Sequence, residues 1–211
     1  FIKMQARTGV GVVNIGATSI DHDTGTDYIG ELDITSDDNI IELLRLSEAV
    51  HRYGAKISIE IVHAGRGADP RLLKVPEAIA PSPIPVTNGN THIREMNHDD
   101  IEKIKQQYAD CAERLVKADF DMMMIHAAHG NLIAQFLSPL FNKRTDQYGG
   151  TEENRWRFAL EVLEAIRGRV GNKLAIDMRI SGDEIIPGGM KINDTVRFIK
   201  AAQKYLDTVH V

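Results

Sequence analysis

The stretch Met122-Met-Met-Ile-His126-Ala-Ala-His129-Gly-Asn131 joins a short apolar run to two histidines three residues apart. The apolar run predicts a buried strand, which places both histidines at its carboxyl end. In a barrel of alternating strands and helices, the carboxyl ends of the strands carry the chemistry. Two imidazoles at such a position can both donate to one substrate oxygen, or both bind one metal ion. The stretch alone leaves both alternatives open.

Strand and helix patterns alternate along the chain. Apolar or alternating runs predict strands over residues 10–18, 56–62, 121–125, 174–180 and 206–211. Capping residues and apolar periodicity predict helices from Ser36 or Asp37 to Gly54, over residues 98–117 behind Asn97, over residues 151–168, and from Asn193 to residue 204. Such regular alternation indicates a parallel sheet.

A doubly wound sheet and a barrel are the two architectures that fit this alternation. The Gly-x-Gly-x-x-Gly turn of a doubly wound sheet is missing, and Gly9-Val-Gly11 precedes a strand rather than following one. Polar residues at successive strand ends (Glu60 and His63, His126, Arg179) favour a barrel. We therefore predict an α/β chain in which residues 1–211 form part of a single (β/α)8 TIM barrel domain, because about five strands cannot close the barrel.

The predicted loop over residues 64–96 contains most of the prolines. Structureless segments of this length are uncommon unless they cover a site or form an interface, so we expect one of these two roles.

The composition is that of an ordinary globular protein, with 43% hydrophobic and 26% charged residues. The net charge of −5, with scattered Lys and Arg, argues against a nucleic-acid or anionic-membrane partner. The single cysteine, Cys111, rules out an internal disulfide or a cysteine-based metal site in this chain, and its helical face predicts core packing. No apolar run is long enough to span a bilayer. Because the chain begins at Phe1 and ends within a predicted strand, we expect it to be a piece of a longer polypeptide. We also expect a cytoplasmic location.

Several motifs share the order and spacing of one known family. They are His63-Ala-Gly-Arg66, His126-Ala-Ala-His129-Gly, Gln135-Phe-Leu-Ser-Pro, Asn142-Lys-Arg-Thr-Asp146, Tyr148-Gly-Gly150, Glu153-Asn-Arg155 and Met178-Arg-Ile-Ser181. Together they resemble the signature of the old yellow enzyme family of flavin oxidoreductases, over essentially the whole chain. The resemblance is strongest to the larger bacterial members: 2,4-dienoyl-CoA reductase, enoate reductase, trimethylamine dehydrogenase and the bile-acid-inducible steroid enone oxidoreductases.

The resemblance implies an FMN-containing barrel, of which this chain would supply about strands two to six. It implies that FMN takes hydride from NAD(P)H and passes it to the C=C bond of an α,β-unsaturated carbonyl substrate. His126 and His129 would then hydrogen-bond the carbonyl oxygen, Arg179 would lie at the flavin N1–C2 edge, and Ala17 would leave room for the ring. The larger members also carry a C-terminal extension with a 4Fe–4S cluster and FAD or NAD(P)H domains, whose cluster cysteines would lie beyond Val211.

Two positions depart from the family pattern. Asn131 stands where family reductases usually carry the tyrosine that protonates the α-carbon, and an amide cannot supply that proton. Either water or another residue does so (Tyr148 is a weak candidate), or the reaction needs no donor there, as in a dehydrogenation. Glu60 stands where many members have a glutamine that reads the flavin pyrimidine; a carboxylate can accept from flavin N3–H but not donate to a carbonyl.

Two other functions remain open. His63, His126 and His129 with Asp177 or Glu60 could form the metal site of a barrel hydrolase, although Arg179 near Asp177 would repel a cation. Alternatively, the chain could be a non-catalytic fragment. His63 is equally open to a structural role and to substrate contact, and Arg179 could be an ion-pair partner of Asp177 or Glu60. The sequence is compatible with several substrates, with NADH or NADPH as the reductant, and with a monomer or a homo-oligomer.

Overall fold

The computed structural model describes residues 1–87 and 89–211 as an open parallel sheet covered by helices. In that part of the chain, six strands form the main sheet in the order β2-β1-β3-β6-β7-β8. They are β1 (Val12–Ser19), β2 (Leu32–Asp33), β3 (Lys56–Val62), β6 (Met122–Ala127), β7 (Ala175–Ile180) and β8 (Thr208–His210). All five pairings between neighbours are parallel. The sheet has the strand–helix order of a barrel that does not close, so the predicted partial α/β barrel is confirmed.

Helices precede β1 and separate most of the strands that come after it. They are α1 (Ile2–Arg7), α2 (Ile40–His51), α3 (His98–Lys117), α4 (Leu132–Leu137), α5 (Glu152–Val170) and α6 (Ile192–Ala202). The main core lies between these helices and one face of the sheet. Ile57, Ile59 and Ile61 of β3 are fully buried in it, whereas Ser58 and Glu60 project from the other face. Cys111 also lies in this core, as predicted.

The strongest sequence patterns gave the closest predictions. The bounds predicted for β3 and α3 match the structure, and a capping box between Asn97 and Asp100 begins α3. Ser36 and Thr151 also cap as expected, each accepting a backbone N–H at the start of its helix. These elements combine a clear apolar period with an explicit start signal.

Short elements were not predicted. Helices α1 and α4 have six residues each, too few for a helical period to show. Strand β2 has only two residues. The segment predicted as a structureless loop holds a second, two-stranded sheet of β4 (Ala78–Ala80) and β5 (Ile93–Glu95), plus a 3-10 turn.

The predicted start of α6 is wrong. Asn193 lies inside the helix rather than at its N-cap, because the helix begins at Ile192. The carboxylate of Asp194 reaches back to accept the backbone N–H of Lys191 at 2.8 Å, and this contact begins the helix two residues earlier than expected.

Candidate active site

Glu60, His126 and Arg179 meet where neighbouring strands end. The register of β6 and β7 pairs His126 with Arg179, and Glu60 lies on the adjacent strand β3. Arg179 Nη1 donates to Glu60 Oε1 at 3.2 Å, and His126 Nε2 lies 3.7 Å from the same oxygen. The second distance is too long for a hydrogen bond, and it would join an ion pair only if the ring of His126 were protonated. The structure thus brings His126 and Arg179 around the nearly buried carboxylate of Glu60, so three of the predicted site residues lie together.

The two histidines contact each other. His129 Nδ1 lies 3.2 Å from His126 Nε2, and the two rings stand almost perpendicular, at 84°. His129 reaches this position because its backbone is left-handed, with φ of 54°, followed by Gly130 with φ of 75°. Histidine is one of the few non-glycine residues enriched in that region. The turn after β6 therefore folds the second imidazole back over the first.

The hydrogen bonds of the pair define its tautomers. The backbone N–H of Ala128 donates to His126 Nδ1 at 3.2 Å, so in the neutral ring the proton sits on Nε2. That proton points at His129 Nδ1, which must then accept, so the His129 proton sits on Nε2. The N–H of His129 remains available at the exposed rim, and that of His126 becomes available once the mutual bond opens.

His126 is neutral at physiological pH. Burial lowers the pKa of its ring to about 4; the Glu60 carboxylate opposes this shift, and His129 and Arg179 add to it. A neutral ring donates a hydrogen bond without carrying a charge. The pair is therefore suited to hold an oxygen, and not to act as a strong acid.

Ala17 and Gly16 form the wall beside Glu60. A Cβ placed on Gly16 would lie 2.6 Å from Glu60 Oε2, so only glycine lets the carboxylate approach β1 this closely. The hydroxyl of Tyr28 donates to the Ala17 carbonyl at 3.0 Å and accepts the Ala17 N–H at 3.2 Å. The sequence pattern did not single out Gly16 or Tyr28, although a glycine inside a strand is itself a signal of close approach.

Asn131 occupies the N-cap of α4, where its carbonyl accepts the N–H of Gln135 at 2.8 Å. Its side-chain amide makes no hydrogen bond within residues 1–87 and 89–211. Tyr148, the weak alternative donor, lies elsewhere: its buried hydroxyl donates to Glu161 Oε2 of α5 at 3.0 Å. Tyr148 is thus tied to the outer helix layer, and its candidacy as proton donor is wrong.

His63 belongs to a separate, fully buried cluster. Its Nε2 lies 3.0 Å from Thr24 Oγ1, its Nδ1 accepts the N–H of Gly65 at 3.0 Å, and Asp21 lies 3.9 Å away. Burial lowers the pKa of His63 to about 4, against the opposing charge of Asp21. Both ring nitrogens are therefore used inside the fold, and the structural reading of His63 prevails over substrate contact.

The hydrolase metal site is contradicted by this arrangement. His63 does not join His126 and His129, and Asp177 accepts a hydrogen bond from Thr208 Oγ1 at 2.5 Å. Among the residues that the structure describes, no group of three or more His, Cys, Asp or Glu side chains could hold a metal ion. Arg179 pairs with Glu60 and not with Asp177. In the same described part of the chain, no helix combines the length and apolar character needed to cross a membrane.

Known proteins share both the sequence and the fold. The family model described as NADH:flavin oxidoreductase / NADH oxidase matches residues 1–210. The NADPH dehydrogenase of Geobacillus thermodenitrificans is 42% identical over 194 residues, which cover 90% of this chain and 54% of that protein. Histamine dehydrogenase from Rhizobium sp. 4-9 superposes with a TM-score of 0.89 at 33% identity, over 99% of this chain and 30% of that one. Old Yellow Enzyme from Pichia sp. AKU4542 gives a TM-score of 0.79 at 29% identity, over 97% and 55%.

The matches confirm the resemblance to old yellow enzyme that the motifs indicated. The chain spans between 30% and 54% of the lengths of the first three curated relatives that it matches. Its own residues nevertheless match the family model almost from end to end. The chain belongs to the NADH:flavin oxidoreductase / NADH oxidase family.

Proposed function

We propose that the protein containing this chain is an FMN-dependent oxidoreductase. It would transfer hydride between NAD(P)H and the C=C bond of an α,β-unsaturated carbonyl substrate. The observation that carries the proposal is the pair His126 and His129 at a strand end, set beside the Glu60–Arg179 contact.

The side chains at Glu60 and Arg179 fit the pyrimidine edge of a flavin. That edge offers an N–H and carbonyl oxygens; Glu60 can accept from the former, and the guanidinium of Arg179 has further N–H groups to donate to the latter. The absence of a side chain at Gly16 lets Glu60 occupy this position, and the small side chain of Ala17 would leave room for the flat ring. When bound, FMN would supply the hydride exchanged with NAD(P)H and with the substrate.

The histidine pair supplies the oxygen-binding donors. When the substrate binds, its oxygen would replace His129 Nδ1 as the acceptor of the His126 N–H, and the N–H of His129 would donate beside it, so both donors are in place before charge develops. Both rings are held by the turn after β6, so the donors need little reorganisation during the reaction. Because His126 stays neutral, its contribution is a directed dipole and not a transferred proton.

Asn131 decides how the α-carbon receives its proton. Its amide has no acidic proton to give, so in the reducing direction we propose that water, oriented by this amide, supplies it. The rest of the reaction is unaffected by this choice, since the oxygen is held by the histidines.

The direct test is reoxidation of the reduced flavin. The complete polypeptide is loaded with FMN, reduced anaerobically, and mixed with cyclohex-2-enone in a stopped-flow instrument. The proposal expects recovery of the oxidised flavin absorbance at a rate that saturates with enone. Tight FMN binding without any enone-dependent recovery would overturn the substrate class, and failure to bind FMN would overturn the whole proposal.

The opposite direction, dehydrogenation of an amine, is the second candidate. Asn131 favours it, because no proton donor is needed at that position, and histamine dehydrogenase is among the similar structures. The same instrument separates the two: oxidised flavin is mixed with histamine or a simple alkylamine. Bleaching by the amine, together with inertness of the reduced form toward the enone, would reverse the ranking.

A further inference from the structure

A cleft of about 300 Å³ opens beside His129, between the turn after β6 and the loop that follows β7. Its floor is apolar and includes Leu137, Ile180 and Met190, all buried. The volume lies at the lower end of the range for small-molecule sites. His129 is the residue that the cleft shares with the histidine pair, so the cleft begins beside the position where the substrate oxygen would be held.

The loop of residues 183–190 forms the outer wall of the cleft and is held in place by hydrogen bonds. Asp183 Oδ1 accepts the N–H of Ile185 at 2.6 Å, and Ile185 adopts a left-handed φ of 56°, which is unusual for a β-branched residue. Glu184 Oε2 accepts from Ser138 Oγ at 2.9 Å and from the N–H of Met190 at 2.6 Å. The result is that Ile186, half exposed, lines the cleft, while Ile185, 86% exposed, projects to solvent and does not line it.

The charge at the rim of the cleft is negative. Asp183 is compensated by Lys191 Nζ at 3.1 Å, but Glu184 has no cationic partner within ion-pair distance in residues 1–87 and 89–211. No lysine or arginine lines the cleft in that part of the chain. Arg66, which does not line the cleft, stacks on the ring of Phe141 and donates to the Pro85 carbonyl. An anionic group in the cleft would lose its hydration and meet a carboxylate in return.

We propose that this cleft is the subsite for the part of the substrate remote from the reacting oxygen, and that it selects an uncharged apolar group such as an alicyclic ring or an alkyl chain. The inference rests on the proposed function and narrows it: neutral enones are accepted, and substrates with a carboxylate or phosphate near the reacting atoms are rejected. Ile186 is the specificity-determining side chain.

The test compares two cyclohex-2-enones that carry at carbon 5, away from the C=C bond, either a butyl chain or a chain of equal length ending in a carboxylate. Their kcat/KM values are measured with the FMN-loaded protein, and the affinities of the corresponding saturated ketones are measured by calorimetry. We expect a preference of about tenfold or more for the butyl compound, in both measurements. Replacing Ile186 with arginine (I186R) should abolish most of the preference, because the added cation offsets the Glu184 carboxylate at the rim.

The matched control is I185R, which adds the same charge one residue away on the solvent side. It should leave the preference unchanged. Equal effects of I185R and I186R, or equal use of both tailed compounds by the unaltered protein, would overturn the subsite. Unsubstituted cyclohexenone is included because its failure to react would speak against the proposed function itself, whereas its turnover without tail selectivity would speak only against the cleft.

Discussion

His63 and His126 both stand at the carboxyl ends of parallel strands, and burial lowers the pKa of each to about 4. Yet their surroundings differ. Both nitrogens of His63 are bonded inside the fold, to Thr24 and Gly65. His126 has one nitrogen fixed by the backbone and the other directed at His129 and the open face of the barrel. The comparison teaches that strand-end position and a lowered pKa are common to both rings, and that they differ in the partner of Nε2, which is the buried Thr24 for His63 and the exposed His129 for His126.

Removing His63 should have the largest effect, and on stability. In His63→Ala, the contacts with Thr24 and Gly65 are lost and a cavity remains, so the free energy of unfolding should fall by about 3 kcal/mol. Denaturant titration of the complete FMN-loaded protein measures this loss. Hydride transfer by the fraction that remains folded should change little. A large loss of rate with unchanged stability would place His63 in the chemistry and end the contrast.

Removing His126 should do the reverse. His126→Ala deletes one of two donors to the developing oxyanion, so flavin reoxidation by enone should slow about a hundredfold, with a smaller effect on unfolding. The rate is read in single-turnover stopped-flow experiments. The conservative variant His126→Gln keeps an N–H within similar reach and should recover part of the rate. If alanine and glutamine are equally slow, hydrogen-bond donation is not the role of this ring.

The variant Gly16→Ala tests whether the position of the Glu60 carboxylate matters for FMN binding. The added Cβ would meet Glu60 Oε2, displace that carboxylate and disturb its contact with Arg179, so FMN affinity should fall about tenfold. Fluorescence titration of FMN gives the dissociation constant. The matched control is Gly11→Ala just before β1, where a Cβ would meet nothing within 4 Å. Equal losses in both variants would show that strand backbone, and not Glu60, is responsible.

The pH dependence of the free energy of unfolding is the smallest of the expected effects near neutral pH. The pKa of His63 lies near 4 in the folded protein against 6.5 ordinarily, so its contribution to stability is complete above pH 6.5 and is lost as the pH falls toward 4. In that window each such group steepens the loss of unfolding free energy by about 1.4 kcal/mol per pH unit. Unfolding measured from pH 7 to pH 4.5 in the wild type and in His63→Ala should show a shallower slope in the variant. Identical slopes would contradict the assignment of a buried neutral ring.

Much of the fold was predictable because its signals are local. The alternation of Ile57, Ile59 and Ile61 sets the faces of β3, and Asn97 with Asp100 marks the start of α3 within four residues of sequence. Strand-end reasoning grouped Glu60, His63, His126 and Arg179; the structure brings all of them together except His63, which lies in its own buried cluster. Sequence patterns could not predict the contacts made across the fold. These are the contact of the Tyr28 hydroxyl with Ala17, that of the Glu60 carboxylate with Gly16, and the hydrogen bonds that hold the loop beside His129. These depend on the three-dimensional path of segments that carry no period of their own.

The left-handed backbone at His129 has a consequence for redesign of this site. A left-handed backbone places steric limits on the side chain. Valine, isoleucine and threonine are disfavoured there by steric clash, whereas asparagine and aspartate are tolerated. Libraries randomised at this position should therefore yield folded members concentrated among short polar residues and glycine. The backbone conformation of this turn therefore limits which side chains position 129 can carry, whatever reaction is selected for.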